Sequence, residues 1–281
     1  MSNKENEFWQ KKAFEDLTIA DDFMFCVVMQ EEEICLQLLN IILKNEVGKL
    51  IRIIPQDTLE GKNNAKAVRL DIMAVDSTGK LYNIEMQTAQ QSFLAKRMRY
   101  YQCAIDQSSL DKGADYIDLP ETFIIFFCTF DHLKKSLPLY TIKSICKETS
   151  EVFNDGTTKL IVNTKASEKA EPELRALLQY MNEMPATTEF TKKLDEKVKA
   201  IKQNEARRKE YMNINAFEMD ARRDGIAIGL MKGLSQGEAR GIQKGAYQTK
   251  LETAKKMKYK GFNVADISDL TGLTKAEIDK L

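Results

Sequence analysis

The stretch Asp71-Ile-Met-Ala-Val-Asp-Ser-Thr-Gly-Lys-Leu-Tyr-Asn-Ile-Glu-Met-Gln87 decides the fold. It predicts a β-hairpin with acids set into otherwise apolar strands. From Val68 to Val75 the residues alternate, with Val68, Leu70, Ile72 and Ala74 on one face and Arg69, Asp71, Met73 and Val75 on the other. Asp76-Ser-Thr-Gly79 supplies the turn chemistry. On the return strand Tyr82, Ile84 and Met86 share one face, and Asn83, Glu85 and Gln87 share the opposite one. Antiparallel pairing then brings Asp71 and Glu85 together on one side of a sheet, with Gln87 just beyond. Converging carboxylates beside a carboxamide suit a hard divalent cation, because Mg2+ takes oxygen ligands and keeps several waters.

The same alternation is also what solvated acids on the wet face of an ordinary hairpin would give. The neighbouring text separates the two readings. Arg69-Leu-Asp71-Ile with Ile84-Glu-Met-Gln87 resembles the core of the PD-(D/E)XK nuclease superfamily. More narrowly, the chain is similar to the bacterial recombination-promoting nuclease (Rpn) and transposase-like family, in which the third motif position is often Gln. Asp22-Phe-Met-Phe25 upstream and Arg97-Met-Arg-Tyr-Tyr101 downstream agree with that resemblance, which spans about residues 10 to 235. It implies an α/β restriction-endonuclease-like core, a mixed sheet flanked by helices, with a helical C-terminal extension. It also implies a Mg2+- or Mn2+-dependent DNA endonuclease linked to recombination or mobile-element biology. Asp71 and Glu85 would hold the metal, Gln87 would position the attacking water, and Asp22 would complete the acidic cluster.

Two positions depart from the superfamily pattern. Leu70 replaces the eponymous proline, and Gln87 stands where the name has lysine. Glutamine can hydrogen-bond a water but brings no positive charge to the attacked phosphate. That charge would have to come from a neighbour such as Lys66, Arg69, Arg97 or Arg99, which are also the candidate DNA contacts. The competing expectation is a catalytically silent DNA-binding or oligomerising protein on a nuclease scaffold.

The whole chain carries 42 basic and 42 acidic side chains, so net charge offers no argument for nucleic acid. Its distribution does: residues 191–260 hold 18 Lys and Arg against 9 Asp and Glu, whereas residues 1–150 hold 18 against 22. A basic arm after an acidic domain suits a phosphate backbone, although charged helical faces give the same count. The single histidine, His132, excludes His-rich zinc sites. Five cysteines without C-x-x-C spacing argue against structural zinc and, with no leader peptide expected, for a reducing cytoplasm. No apolar run approaches the ~20 residues that span a bilayer.

Outward from the hairpin, helical periodicity covers about Asp21 to Lys44, with Asp21 as N-cap and a junction at Glu31-Glu-Glu33. Leu50 to Ile54 predicts a strand, Gly61 to Lys66 a loop, and Gln90 to Leu110 a helix with Phe93, Leu94, Met98, Tyr101 and Ile105 inward. Thr122 to Phe130 has the near-continuous apolarity of a central strand. Asp155-Gly156 predicts a hairpin between Val152-Phe153 and Lys159-Leu-Ile-Val162.

Toward the C-terminus, Gly225, Gly229, Gly233, Gly237, Gly241 and Gly245 recur every four residues. In a helix each glycine costs ~1 kcal/mol relative to alanine, so close packing against a second helix is expected to compensate. Asn263 to Leu281 resembles a small helix-turn-helix whose second helix, with Glu277 and Asp279, suits packing better than a DNA groove. The expected organisation is therefore a frayed N-terminus over 1–12, a nuclease-like domain over 13–190 and a charged helical connector over 191–222. A glycine-ladder oligomerisation helix over 223–248 and a helical segment over 249–281 follow. Expected partners are DNA and a second copy of the chain, with no membrane.

Overall fold

A computed structural model describes residues 12–56, 58–59, 67–90 and 92–281. The frayed segment expected at the N-terminus lies almost wholly outside the described residues, as does the Gly61–Lys66 loop with Lys66. The chain divides into one compact unit ending at Tyr211 and a second running from Met212 to Leu281.

In the first unit, helices α1 (Asp22–Val28) and α2 (Glu32–Leu43) precede a six-stranded sheet. Its strands are β1 (Leu50–Pro55), β4 (Ile72–Asp76), β5 (Leu81–Gln87), β6 (Thr122–Cys128), β8 (Thr157–Asn163) and β7 (Leu139–Ile142), in that order across the sheet. The pairings β1–β4, β4–β5 and β7–β8 are antiparallel, while β5–β6 and β6–β8 are parallel. Strands β2 (Thr58–Leu59) and β3 (Val68–Arg69) form a separate two-stranded ladder. Parallel neighbours need a crossover, and α3 (Leu94–Ser109) supplies it between β5 and β6.

The sheet is mixed because its sequence is. Strand β6 is apolar almost throughout and buried on both sides, as a central parallel strand must be. One face packs Met73, Ile124, Phe126, Cys128 and Ile161 under Leu94, Met98, Tyr101 and Ile105 of α3. On α1, Phe25 reaches Phe127 with ring centroids 5.5 Å apart. Helices α4 (Pro172–Met181) and α5 (Glu189–Lys202) follow, and α5 buries Phe190, Leu194, Val198 and Ile201. The segment expected as a connector from 191 to 222 is therefore split: α5 packs into the first unit on an apolar stripe of helical period. Helix α6 (Glu205–Tyr259) starts in the same unit, where Tyr211 packs against Phe14 and Phe23 and donates to the Lys12 carbonyl at 2.8 Å.

Four local expectations are corrected. Val68 to Val75 is not one strand: it breaks at Leu70-Asp71, where β3 leaves to pair with β2. The break resets the alternation, so Val68 and Leu70 join Met73 in one cluster rather than Ile72 and Ala74. Val152-Phe153 does not form the hairpin with β8; β7 does, and Val152 makes an isolated bridge to Ile145 instead. Phe93 is 54 % exposed rather than inward, because it sits at the N-cap of α3, one residue before the helix turns its apolar face to the sheet. Asp21 occupies the N-cap of α1, but its carboxylate accepts from the Thr18 backbone and hydroxyl and pairs with Lys12, so it braces the preceding turn.

In the second unit, α6 continues and is followed by α7 (Val264–Thr271) and α8 (Lys275–Asp279). Ala254, Ile267, Leu273 and Ile278 form a small core. Thr274 and Glu277 make the expected capping box, and Gly272 closes α7 at φ +67°. Residues 216–250 of α6 are exposed throughout, and all six ladder glycines have nothing within 4 Å of where a Cβ would stand. Among the described residues no helix is long and apolar enough to cross a membrane.

Candidate active site

The hairpin turn fixes the site from one end. Asp76 is fully buried and accepts from Thr78 N at 2.8 Å, Thr78 Oγ1 at 2.6 Å, Lys80 N at 3.1 Å and Tyr82 Oη at 2.8 Å. Gly79 takes φ +85° to close the turn. This sets the register Ile72↔Ile84 and Met73↔Asn83, so Asp71, just before β4, arrives opposite Glu85.

Glu85 does not face water. Asn83, Glu85 and Gln87 lie on β5 beside Ile124, Phe126 and Cys128 of β6, beneath α3, and are 0 %, 0 % and 5 % exposed. The expectation of solvated acids on a wet face is thereby excluded for Glu85, while Asp71 is part-exposed. Alternation told the two faces of β5 apart, but the crossover helix covers the polar one.

Buried charge must be paired. Glu85 Oε1 accepts from Asp71 N at 3.0 Å and Asn83 Nδ2 at 2.9 Å, and Glu85 Oε2 accepts from Arg97 Nη2 at 3.0 Å. Asp71 Oδ2 accepts from Met86 N at 3.0 Å. Gln87 is engaged at both ends, its Oε1 accepting from Arg97 Nη1 at 2.5 Å and its Nε2 donating to the Ala89 carbonyl at 2.6 Å. Arg97 also donates from Nε to Tyr101 Oη at 2.8 Å, with its guanidinium 4.9 Å from the Tyr101 ring centroid and 5.2 Å from that of Phe126.

Burial raises the proton affinity of both acids. For Asp71 desolvation dominates, offset by the Met86 N–H and augmented by Asp22, and the carboxyl is pushed up to about 6. For Glu85 desolvation and then the Asp71 charge push it up to about 8, against the Asn83 and Asp71 hydrogen bonds and Arg97. Arg97 and, more weakly, Arg69 oppose the rise of Asp71, and Arg97 opposes that of Glu85, without cancelling either.

The structure thus brings Asp71, Glu85, Gln87 and Arg97 together. Asp22 on α1 acts on Asp71 through its charge, but among the described residues no three His, Cys, Asp or Glu side chains are grouped closely enough to hold a metal ion. Arg69 donates to Gln56 Oε1 at 2.5 Å on an exposed surface, and Arg99 is exposed on α3. Sequence reasoning missed two participants. Asn83 is on the correct face and donates to Glu85, and its Oδ1 is buried with no hydrogen-bond partner. Tyr101 was assigned to the core, although its spacing of one helical turn from Arg97 was the available signal.

In their chemistry the two carboxylates suit a hard divalent cation, which Asp71 and Glu85 would hold through their oxygens.

No curated protein and no solved structure matches the chain. The family described as PD-(D/E)XK nuclease family transposase matches residues 20–225, most of the chain and all of the six-stranded sheet. By that match, which agrees with the mixed sheet and with the acids at the ends of β4 and β5, the chain belongs to the PD-(D/E)XK nuclease family transposases.

Proposed function

We propose that the protein is a divalent-metal-dependent DNA endonuclease acting in recombination or mobile-element biology. The observation that carries this is the meeting of Asp71, just before β4, with the fully buried Glu85 of β5, joined by reciprocal backbone hydrogen bonds beside Arg97. A Mg2+ or Mn2+ ion bound there supplies a hydroxide-like water near neutral pH and a positive charge for the phosphate oxygens. The backbone amides of Asp71 and Met86 keep the two carboxylates converged. The apolar wall of Phe126, Ile124 and α3 restricts water to the open side. In hydrolysis a water oxygen bonds to phosphorus, the opposite P–O bond breaks, and the departing oxygen takes up a proton.

Nicking of supercoiled plasmid with Mg2+, Mn2+, Ca2+ or EDTA, beside Asp71→Ala and Glu85→Ala, tests the reading. Cleavage confined to Mg2+ or Mn2+ and lost in both variants supports it. Activity surviving both substitutions removes Asp71 and Glu85 from the site.

A second reading, a catalytically silent DNA-binding scaffold, is favoured by one observation: Arg97 already occupies an oxygen of Glu85 and the acceptor of Gln87. Calorimetric titration with Mn2+ separates the two, since a silent scaffold needs no ion.

Self-association belongs to the same proposal. The six glycines weaken α6 by roughly 6 kcal/mol relative to alanine, and among the described residues nothing lies within 4 Å of where their Cβ atoms would stand. Ile226, Leu230, Leu234 and Ile242 stand exposed one position after glycines, giving paired small and apolar stripes. A second copy of the same helix covers both, with a right-handed crossing because the repeat of four exceeds the helical period. The five free cysteines suit a reducing cytoplasm as the place of action.

A further inference from the structure

We infer that Arg97 carries the positive charge of the missing motif lysine, and that Gln87 is the residue that positions it. The inference rests on the nuclease reading above and assigns the phosphate-facing cation of that site. The Gln87 amide donates to the Ala89 carbonyl and its carbonyl accepts from Arg97, so the side chain is fixed at both ends. A lysine at position 87 would extend past the point where the Gln87 side chain ends. Arg97 Nη1 sits 2.5 Å beyond Gln87 Oε1, so the guanidinium lies in the region that longer chain would reach. The charge has moved from β5 to α3, and Gln87 has become its anchor.

The other candidates among the described residues, Arg69 and Arg99, do not share this placement. Arg69 is held by Gln56 on the surface, and Arg99, two residues further along the helix, turns away from the face that Arg97 occupies. Arg97 alone is fixed from several sides: Glu85 and Gln87 at its two terminal nitrogens, Tyr101 at Nε, and the Tyr101 and Phe126 rings beside the guanidinium plane. These contacts use three N–H groups, and a guanidinium bears further donors on its terminal nitrogens for an incoming phosphate oxygen. A cation fixed before substrate arrives needs no reorganisation as charge develops on the phosphate.

Two assays on the full chain decide the matter. The first is metal-dependent plasmid cleavage by wild type, Arg97→Ala, Arg97→Lys, Gln87→Ala and the double variant Arg97→Ala/Gln87→Lys. The second is fluorescence anisotropy of a labelled DNA duplex in Ca2+ over a range of salt. Arg97→Ala is expected to lose ~10²–10³ in cleavage rate, as removal of a preorganised transition-state donor does. Its log–log salt slope is expected to fall by about one phosphate contact. The double variant returns a lysine to the motif position and is expected to regain at least about tenfold in rate and the lost slope. Gln87→Ala keeps the slope, since the charge remains, but loses rate because the charge is no longer held. Arg97→Lys keeps the slope and part of the rate.

If Arg97→Ala cleaves like wild type with an unchanged slope, the inference is overturned while the nuclease reading stands. A double variant that melts like wild type yet recovers neither quantity also overturns it. Should Arg97→Ala fail to fold, rescue in the double variant and the Arg97→Lys slope carry the decision. If wild type cleaves nothing in any metal, the nuclease reading fails and the slopes alone judge the phosphate contact. No duplex binding by wild type overturns both.

Discussion

The backbone of Asp71 and the side chain of Glu85 are bonded to each other: Asp71 N–H donates to Glu85 Oε1 at 3.0 Å, while Asp71 Oδ2 accepts from the amide next to Glu85 at 3.0 Å. The two acids therefore cannot separate when both are charged. Burial and then Asp22 raise Asp71 to about 6, and burial and then the Asp71 charge raise Glu85 to about 8. A folded-state value above the ordinary one means the folded protein binds more protons than the unfolded chain. Its contribution to stability is complete below the ordinary carboxylate range and is lost as pH rises through the raised values. In EDTA the melting temperature is expected to fall from about pH 4 to about pH 8. The gain on adding Mn2+ is expected to grow over the same interval, because the ion binds only deprotonated ligands. Thermal melts across pH with and without Mn2+ check this; a flat metal-free profile would contradict the burial argument.

Asp76 behaves in the opposite sense. Burial alone would raise it, but hydrogen bonds from Thr78, Tyr82 and Lys80 outweigh that and lower it. Its stabilising contribution is present above the ordinary carboxylate range and is lost as pH falls through the lowered value. Asp76→Ala strips the partner from several donors at once and should cost about 3 kcal/mol or more, whereas Tyr82→Phe removes one bond and should cost about 1–2 kcal/mol. Urea unfolding near neutral pH gives both numbers. Similar losses for the two variants would mean that the turn does not depend on Asp76.

Much of this arrangement was legible in the sequence, for identifiable reasons. Strand β5 alternates cleanly, so Asn83, Glu85 and Gln87 were placed on one face, and the run through Phe126 and Phe127 marked a central strand. The break at Leu70-Asp71 was not legible, because apolar and polar residues alternate straight through it from Val68 to Ile72 and only pairing with β2 divides the run. Burial of the site was also hidden: periodicity separates faces but does not say which one a crossover helix will cover. The hydrogen-bonded group of Gln87, Arg97 and Tyr101 joins a strand to a helix, and side-chain geometry of that kind has no sequence period.

The glycine ladder of α6 gives a prediction with two opposed signs. A Cβ at Gly229 or Gly237 meets nothing within 4 Å in the single chain. Alanine there should strengthen the helix by about 1 kcal/mol per site. If a second copy packs along the glycines, a larger side chain should separate the backbones instead. Gly229→Leu/Gly237→Leu is therefore expected to gain helicity by circular dichroism and to sediment as a smaller species than wild type. Gain of helicity without loss of association would place the partner surface elsewhere.

Asp71→Asn separates what the acid does for folding from what it does for the ion. Asparagine keeps an oxygen for the Met86 amide but cannot ionise, so it removes the desolvation and the Asp22 repulsion that raise Asp71, and the Asp71 charge that raises Glu85. At about pH 8, above the raised value of Asp71 and at that of Glu85, the metal-free variant should therefore melt several degrees above wild type. The same change removes a charged oxygen from the candidate metal site, so the Mn2+-dependent gain in melting temperature should disappear together with cleavage. Stability would then rise as function is lost, the trade expected where a buried acid is retained for a ligand. If Asp71→Asn still gains stability from Mn2+ as wild type does, Asp71 is not a ligand. If it melts below wild type in EDTA, the charged form is better accommodated in the metal-free pocket than its burial implies.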